Sequence, residues 1–477
     1  MAMSRNLKRS TALWGLAKYA SLLATLVTTA VLSRILTPEE YGVVAVTAAF
    51  SALFAVLADV GYGTAIIQNR RLSAEDIDDI YSFSVLFSIM LGLAFALLGI
   101  PISHFYENAV YRRICALLGL SVVFTSMNTV PNALIMRDKR FLNSGLRMIA
   151  ACVVAGGIAI VMALKGLSYY AIIGQNLLFS VITFFWNRLT VRLRFHLKMR
   201  AESLKKVGSF SAYQFLYSMM RYFAGNMDTL LIGKTMGSVP LAYYDKGHKL
   251  MMYPVQNLTN YVVNPILVPI LSEHQADRAY LYQAYARVVR VLSCLGILCS
   301  VFFFWGAEEA MILFFGGQWG EAVPVFRLLS LSIWPQMVAS SASAIYQSIG
   351  DTRRMFVSGL MYFGLTIALI VAGVCTGSLE TLVWLVVAAQ YGRFAIDYYV
   401  LIGRTLNMSY RCFIGQFWFE CLYAGVMAAV IALVPVTFTS RLLRLFVKGC
   451  AALAVFLVMA VVTGKYAQIR ETLFSKK

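Results

Sequence analysis

Long apolar stretches follow one another along almost the whole chain and are separated by short polar loops. A stretch such as 442–462 is apolar on every helical face, and each is long enough for the roughly 20 residues that a helix needs to cross a bilayer. Membrane β-strands would instead alternate at every second residue. The pattern predicts an all-α, polytopic membrane protein with about fourteen transmembrane helices, at 11–36, 39–68, 77–101, 112–135, 140–164, 167–191, 207–234, 239–270, 279–305, 322–349, 354–375, 380–403, 411–435 and 441–463.

A strongly basic connection at 187–206, after the sixth predicted span, divides this pattern into two halves. A weak internal repeat supports the division, since residues 34–42 align with 234–242 and residues 137–140 align with 350–353. Repeated halves are typical of transporters that bind substrate near the membrane midplane. The predicted parts are an N-terminal lobe at 1–192, a basic cytoplasmic linker at 193–206, a C-terminal lobe at 207–404, and two further spans with a cytoplasmic tail at 405–477.

The composition agrees with a membrane protein, because 60% of the 477 residues are hydrophobic and only 13% are charged. The 41 Lys and Arg exceed the 22 Asp and Glu, but they stand between apolar stretches and so do not indicate a nucleic-acid partner. With a cytoplasmic N-terminus, 26 of the basic residues fall on cytoplasmic flanks and 8 on outer flanks. Since short cytoplasmic loops are rich in Lys and Arg, we expect both termini in the cytoplasm.

Three segments resemble the polysaccharide transporters of the multidrug/oligosaccharidyl-lipid/polysaccharide exporter superfamily: 32–42 (LSRILTPEEYG), 57–63 (LADVGYG) and 226–237 (NMDTLLIGKTMG). The resemblance implies two pseudo-symmetric six-helix lobes around a central cavity, with two additional C-terminal helices. It also implies a flippase of the bacterial cytoplasmic (inner) membrane, working by alternating access. Its substrate would be undecaprenyl-diphosphate-linked oligosaccharide, a repeat unit of a cell-surface polysaccharide, and its partners would include polysaccharide polymerase machinery.

Ionisable residues inside predicted spans are the first candidates for transport, because a charge at membrane depth is costly and faces a protein interior or a wet cavity. Asp245 and Lys249, like Arg393 and Asp397, stand at i,i+4 and are expected to pair. Guanidinium groups bind phosphate oxygens by charge-assisted hydrogen bonds. The cations predicted to bind the substrate diphosphate are Arg221, Lys18, Lys249, Arg147 and Arg327. The alternatives are an interhelical salt bridge for Arg221 and snorkelling to the membrane surface for Lys18.

Polar residues on the same spans are predicted to line the cavity and bind sugar hydroxyls: Gln214, Tyr217, Gln256, Asn260, Asn128 and Gln336. Interhelical hydrogen bonding is an equally good explanation for each of them. Pro254 is expected to kink the eighth span. We expect no resident cofactor, metal or catalytic group, although coupling to H⁺ or Na⁺ would need a carboxylate. The candidates are Asp228, Asp397 and Asp59, with Asp228 preferred because Arg393 is expected to neutralise Asp397.

Two other functions compete with the flippase. A multidrug or organic-cation antiporter of the same fold would need an anionic or aromatic cavity, which the cations oppose. A membrane-embedded polysaccharide polymerase or glycosyltransferase would need placed carboxylates, and the predicted outer loops are short.

Glu308 and Glu309 are explained by solvation at the interface, and Arg441, Arg444 and Lys448 by anchoring to membrane lipid phosphates.

Overall fold

The structure, a computed structural model, consists of α-helices joined by short connections. It describes residues 2–59, 63, 66–67, 69, 71–263, 271, 277–349, 351–433 and 440–462. Within its helices, the side chains of residues 2–12, 59, 205–217, 221, 260–263, 347 and 352 lie outside the description. The contacts divide the chain into two compact units, Met1–Ala242 and Tyr243–Lys477.

Unit 1 (Met1–Ala242) contains eight complete helices among its described residues. They are α1 (Ala2–Ile35), α2 (Pro38–Asp59), α3 (Ala74–Phe105), α4 (Val110–Met127), α5 (Thr129–Arg137), α6 (Phe141–Leu164), α7 (Tyr170–Thr190) and α8 (Ala201–Thr235). The division between the units falls within α9 (Ser238–Val255). The predicted lobe boundaries at 192 and 206 stay a prediction.

Unit 2 (Tyr243–Lys477) continues from α9 into a π-helix at Gln256–Val263. Its other helices are α10 (Arg278–Trp305), α11 (Ala307–Phe315), α12 (Ala322–Ser330), α13 (Ile333–Ala339), α14 (Ala342–Ile349), α15 (Thr352–Cys375), α16 (Leu379–Tyr398), α17 (Tyr410–Gly415), α18 (Trp418–Leu433) and α19 (Arg441–Val462), with a 3₁₀ turn at Gly317–Trp319 and a π-helix at Tyr399–Thr405.

Ten helices in the described part of the chain are long and apolar enough to cross a membrane. A further pair, Ala322–Ser330 and Ile333–Tyr346, qualifies together although it is bent by 47°. The helices α7 and α8, with 21 and 35 residues, are about 30 and 50 Å long and so also reach across a bilayer. The all-α, polytopic class is therefore confirmed, while the number fourteen stays a prediction.

Small residues bring the helices of unit 1 close together. At Gly156 of α6, an added Cβ would lie 2.4 Å from the Thr28 hydroxyl of α1. At Gly42 of α2, it would lie 1.9 Å from the carbonyl oxygen of Ser238. Small residues in these places permit close backbone approach, which is how helices associate where lipid removes the hydrophobic driving force.

The fourth predicted span of each half is a broken helix. In unit 1 the break separates α4 from α5 at Asn128, and in unit 2 it separates α12 from α13. Polar side chains lie at both breaks, Asn128 in unit 1 and Ser332 in unit 2. Asn128 belongs to the polar network of unit 1 described next.

Candidate functional site

Arg147 of α6 is the centre of a buried polar network in unit 1, with only 8% of the residue exposed. Its Nη1 donates to Asn187 Oδ1 at 2.6 Å and to Asn132 Oδ1 at 3.1 Å, and its Nη2 lies 3.4 Å from Ser144 Oγ. These partners come from α7, α5 and α6. Among the described residues, the hydrogen-bond acceptors of this guanidinium are thus neutral oxygens. Its positive charge is held in place but not cancelled.

Asn187 connects this cation to the break in the fourth span. It is fully buried, and its Nδ2 donates to Asn128 Oδ1 at 2.7 Å. Two predicted site residues, Arg147 and Asn128, therefore belong to one network through a third residue that the sequence did not single out. In the sequence, Asn187 is the first residue of the basic connection at 187–206. Only the packing of α7 against α5 and α6 shows that it binds Arg147 and Asn128.

Unit 2 carries a buried carboxylate, Asp397, that joins α16 to α15. Ser358 stands as far from the start of α15 as Arg147 stands from the start of α6, and its hydroxyl donates to Asp397 Oδ1 at 2.6 Å. Arg393 Nε lies 3.3 Å from Asp397 Oδ2, and its guanidinium lies over the Tyr362 ring at 4.8 Å. The predicted pair of Arg393 and Asp397 is confirmed.

The predicted polar stripe begins on α9, where Lys249 Nζ lies 2.7 Å from Asp245 Oδ2, so this predicted pair is confirmed as well. The Lys249 side chain is 58% exposed. A π-helix starts at Gln256, two residues after Pro254, in agreement with the expected distortion, and Gln256 is an exposed residue. π-helical turns often mark functional positions.

Lys246, one turn from Lys249, is a buried cation that is not among the predicted site residues. Only 2% of the residue is exposed, and its Nζ lies 4.8 Å from the Phe315 ring centre and 5.1 Å from that of Trp319. Cation–π contacts of this kind are strongest where water is excluded. Nothing in the sequence around Lys246 indicates the two distant aromatic partners.

Three other predicted site residues are described by the structure, at other points of its helices. Lys18 is half-buried on α1 with its ammonium over the Trp14 ring at 5.1 Å, and Arg327 is exposed on the last turn of α12. Gln336 is buried, and its Nε2 donates to Ser332 Oγ at 2.9 Å. Its hydrogen bonding fits the packing explanation of this residue, and its role in a cavity stays a prediction.

Among the ion-coupling candidates, Asp228 is buried on α8 and its Oδ1 accepts a hydrogen bond from the backbone N–H of Thr229 at 2.7 Å. Five other predicted site side chains lie outside the described residues: Arg221, Gln214, Tyr217, Asn260 and Asp59. In the described part of the chain, no group of three His, Cys, Asp or Glu side chains converges on a metal position.

Lys448 of α19 differs from its predicted role as a lipid anchor. Its Nζ lies 2.7 Å from Glu309 Oε1 and donates to the carbonyl oxygen of Trp305 at 2.8 Å. Glu309 is 4% exposed, so it is buried with its partner rather than solvated at the interface. The reason is that α11 folds back beside α19, a contact that the sequence pattern does not reveal.

Residues 31–324, more than half of the chain, match the family described as polysaccharide biosynthesis protein. The chain belongs to this family. The family resemblance carried by 32–42 and 226–237 is thereby confirmed. The succinoglycan biosynthesis transport protein ExoT of Rhizobium meliloti (strain 1021) is a relative, with 23% identity over 75% of this chain and 73% of ExoT. The lipopolysaccharide biosynthesis protein WzxC of Escherichia coli (strain K12) is 24% identical, over 82% of this chain and 80% of WzxC.

Solved structures of transporters share the fold of this polysaccharide biosynthesis protein. The lipid II flippase MurJ in an inward closed conformation matches with a TM-score of 0.75 and 12% identity, over 96% of this chain and 99% of MurJ. A multidrug resistance MATE family transporter of the MOP superfamily, inward-facing, matches with a TM-score of 0.64 and 16% identity, over 83% of this chain and 96% of that chain. The family and its membrane-spanning helices make this a multi-pass protein of the bacterial inner membrane.

Proposed function

We propose that this protein is a flippase that moves undecaprenyl-diphosphate-linked oligosaccharide repeat units from the inner to the outer leaflet of the cytoplasmic membrane. It supplies units for a cell-surface polysaccharide and works by alternating access of two lobes, 1–192 and 207–404. Membership of the polysaccharide biosynthesis family and the transport name of ExoT support this function. We propose that the protein has no catalytic centre and that the flipped repeat units pass to polymerase machinery.

Arg147 carries the proposal as a single observation. A buried cation whose described partners are neutral oxygens retains the charge that a diphosphate requires. An anion entering the network would gain charge-assisted hydrogen bonds to the guanidinium. The other proposed diphosphate ligands are Lys18, Arg221, Lys249 and Arg327, and the exposed Gln256 is a proposed contact for sugar hydroxyls.

Coupling and orientation complete the proposal. We propose that both termini are cytoplasmic and that a carboxylate couples transport to H⁺ or Na⁺. Asp228 is preferred over Asp397, because Arg393 and Ser358 already bind the Asp397 carboxylate. The burial of Asp228 on α8 supports this choice, since an ion-coupled carboxylate must be shielded from bulk water between its two states.

Deletion of the gene tests the proposed function directly. We expect lipid-linked repeat units to accumulate in the membrane, complete and confined to its cytoplasmic leaflet, because their synthesis continues while flipping stops. Extraction and mass spectrometry would give the glycan, and protection from an externally added glycosidase would give the leaflet. Loss of the glycan itself, or its accumulation on the outer face, would instead indicate a synthetic or polymerising enzyme.

Complementation of the deletion strain tests the assignment of Arg147. We expect Arg147→Met to restore less than about a tenth of the polymer, since one charge-assisted hydrogen-bond pair contributes roughly 1.5–3 kcal/mol. Arg147→Lys keeps the charge and should restore part of it. Arg140→Ala is the matched control, because Arg140 is an exposed cation at the start of the same helix. Full function of Arg147→Met at wild-type protein level would remove Arg147 from the site.

A further inference from the structure

The connection between α7 and α8, residues 191–200, is a fixed extended segment rather than a free linker, and we call it the strap. Arg188 Nη2 donates to the Leu193 carbonyl at 2.7 Å. Two backbone N–H groups of the strap also donate to side chains of α3. The N–H of Arg194 donates to Asp78 Oδ1 at 2.9 Å, and the N–H of His196 donates to Ser82 Oγ at 3.0 Å. The strap therefore follows the first turns of α3 at a defined register.

An ion-pair cluster holds the far end of the strap. Arg200 lies 2.8 Å from Glu75 and 2.9 Å from Asp79, both on the first turns of α3. Ser203 Oγ also lies 2.7 Å from Asp79. Hydrogen bonding to Asp79 raises the pKa of the Arg200 guanidinium above its usual value, so this end keeps its positive charge at any physiological pH. Both ends of the strap are thus attached to unit 1.

The sequence of the strap alternates apolar and basic residues, VRLRFHLKMR. In an extended chain such residues point to opposite sides. On the apolar side, Leu193 is buried against Ile80 and Val130, whereas Phe195 and Leu197 are 49% and 73% exposed. Apart from Arg200, which holds the ion-pair cluster, the exposed basic side chains of the strap are Arg192, Arg194 and Lys198. A rigid segment thus presents two apolar side chains beside three cations.

The length of α3 agrees with a position of the strap at the level of lipid headgroups. Ser82, which binds the strap, lies about two turns into α3. With 32 residues, α3 is about 48 Å long, so a hydrocarbon core of roughly 30 Å leaves room for its first turns outside that core. The apolar surface of α7 leads directly to the strap through Phe185 and Leu189, which are 51% and 88% exposed.

We propose that the strap is an anchor for anionic lipid, in which Arg192, Arg194 and Lys198 bind the phosphate groups of cytoplasmic-leaflet lipids while Phe195 and Leu197 insert among the acyl chains. Basic residues near an anionic bilayer surface and apolar side chains at the interface stabilise binding together. An acidic cytosolic protein is the alternative partner for these three cations. The exposed apolar surface that continues from α7 favours lipid, because it belongs to the lipid-facing side of a transmembrane helix.

Native mass spectrometry of the full-length protein in detergent measures the affinity for added phosphatidylglycerol and phosphatidylcholine. We expect the protein to bind phosphatidylglycerol more tightly than phosphatidylcholine. The triple variant Arg192→Ala/Arg194→Ala/Lys198→Ala should lose at least about tenfold in affinity for phosphatidylglycerol, because each cation near an anionic surface adds to the binding free energy. The matched control is Arg112→Ala/Arg113→Ala/Lys165→Ala, which removes three exposed cations from the opposite ends of the helices of unit 1. Equal losses in both triple variants, or equal affinity of the wild-type protein for the two lipids, would overturn the proposal.

Hydroxyl-radical footprinting of the unmodified chain in nanodiscs supplies a test that needs no variant. We expect oxidation of Phe195 and Leu197 to fall severalfold when phosphatidylglycerol is added to phosphatidylcholine discs. Unchanged oxidation in both discs contradicts lipid anchoring. Protection that appears only after a cytosolic protein fraction is added would assign the strap to a protein partner and likewise overturn the lipid assignment.

Discussion

At the scale of single residues, the environment of Arg147 is costly to maintain. A buried charge without an opposite charge is destabilising unless polar groups solvate it. Asn187, Asn132 and Ser144 provide that solvation through oxygen atoms that carry only partial charge. A carboxylate at one of these positions would form an ion pair with the guanidinium and cancel its charge. Neutral ligands leave that charge available to an entering anion.

Asn187→Asp separates the structural and functional roles of this network. The substitution places a carboxylate where Asn187 Oδ1 now accepts a hydrogen bond from Arg147 at 2.6 Å, so it creates a buried ion pair and cancels the charge. We expect transport in the complementation assay to fall by about tenfold or more, as for loss of a charged hydrogen bond. Thermal unfolding of the purified protein should change little, because the guanidinium keeps an acceptor.

Asn176→Asp is the control for this substitution, since Asn176 is an exposed residue of the same helix, α7, about three turns from Asn187. It adds the same negative charge to α7 at a distance from Arg147. Normal transport by Asn187→Asp would contradict a substrate role for Arg147, and equal loss in both variants would show that α7 tolerates no added charge.

At the scale of helices, close packing of α1 on α6 depends on Gly156. An alanine there would place Cβ 2.4 Å from Thr28 Oγ1, so the helices must separate. We expect Gly156→Ala to lower the free energy of unfolding by about 1–3 kcal/mol. Gly157→Ala is the control, because its Cβ would meet no atom within 4 Å. Since alanine favours a helix over glycine, that variant should be neutral or slightly more stable.

Thermal unfolding in one detergent, followed by intrinsic fluorescence, would compare the two variants. The packing of α1 on α6 would be refuted by two equal melting temperatures. A lowered value for Gly157→Ala alone would refute it too, since that result would place the tight contact on the other face of α6.

Helices were the most predictable elements, because transmembrane length and continuous apolar composition are local properties of the sequence. The pairs Asp245–Lys249 and Arg393–Asp397 were predictable for the same reason, since helical spacing alone brings them together. Contacts between distant helices were not. Asn187 with Asn128, and Lys448 with Glu309, meet only because the chain folds back on itself.

At the scale of the whole molecule, the positive charge of the chain separates into groups with different physical roles. Most Lys and Arg residues stand on the flanks of the predicted spans, where we expect them to set the orientation of the chain. A few are enclosed within helical units, such as Arg147 with amides and Lys246 with aromatic rings. The sequence singled out Arg147 but not Lys246, and the solvation of both depends on tertiary packing, which only the structure shows.

Orientation in the membrane is tested by inserted epitopes. We expect an epitope after Gly166, in the turn between α6 and α7, to bind antibody on spheroplasts made from intact cells. The same epitope after Lys139, between α5 and α6, should bind only after the membrane is permeabilised, as should tags on both termini. Binding to the Lys139 epitope on unpermeabilised spheroplasts would reverse the orientation.

The enclosed charge of Arg147 also has an electrical consequence. A charge that crosses the whole membrane exchanges about 2.3 kcal/mol with a potential of 100 mV. Arg147 stands within the membrane-length helix Phe141–Leu164, and its described partners are neutral. Any step of the transport cycle that shifts α6 along the membrane normal therefore performs electrical work. In the proposed alternating-access cycle, the resting potential of the cell would then shift the relative occupancy of the inward- and outward-open states even before substrate binds.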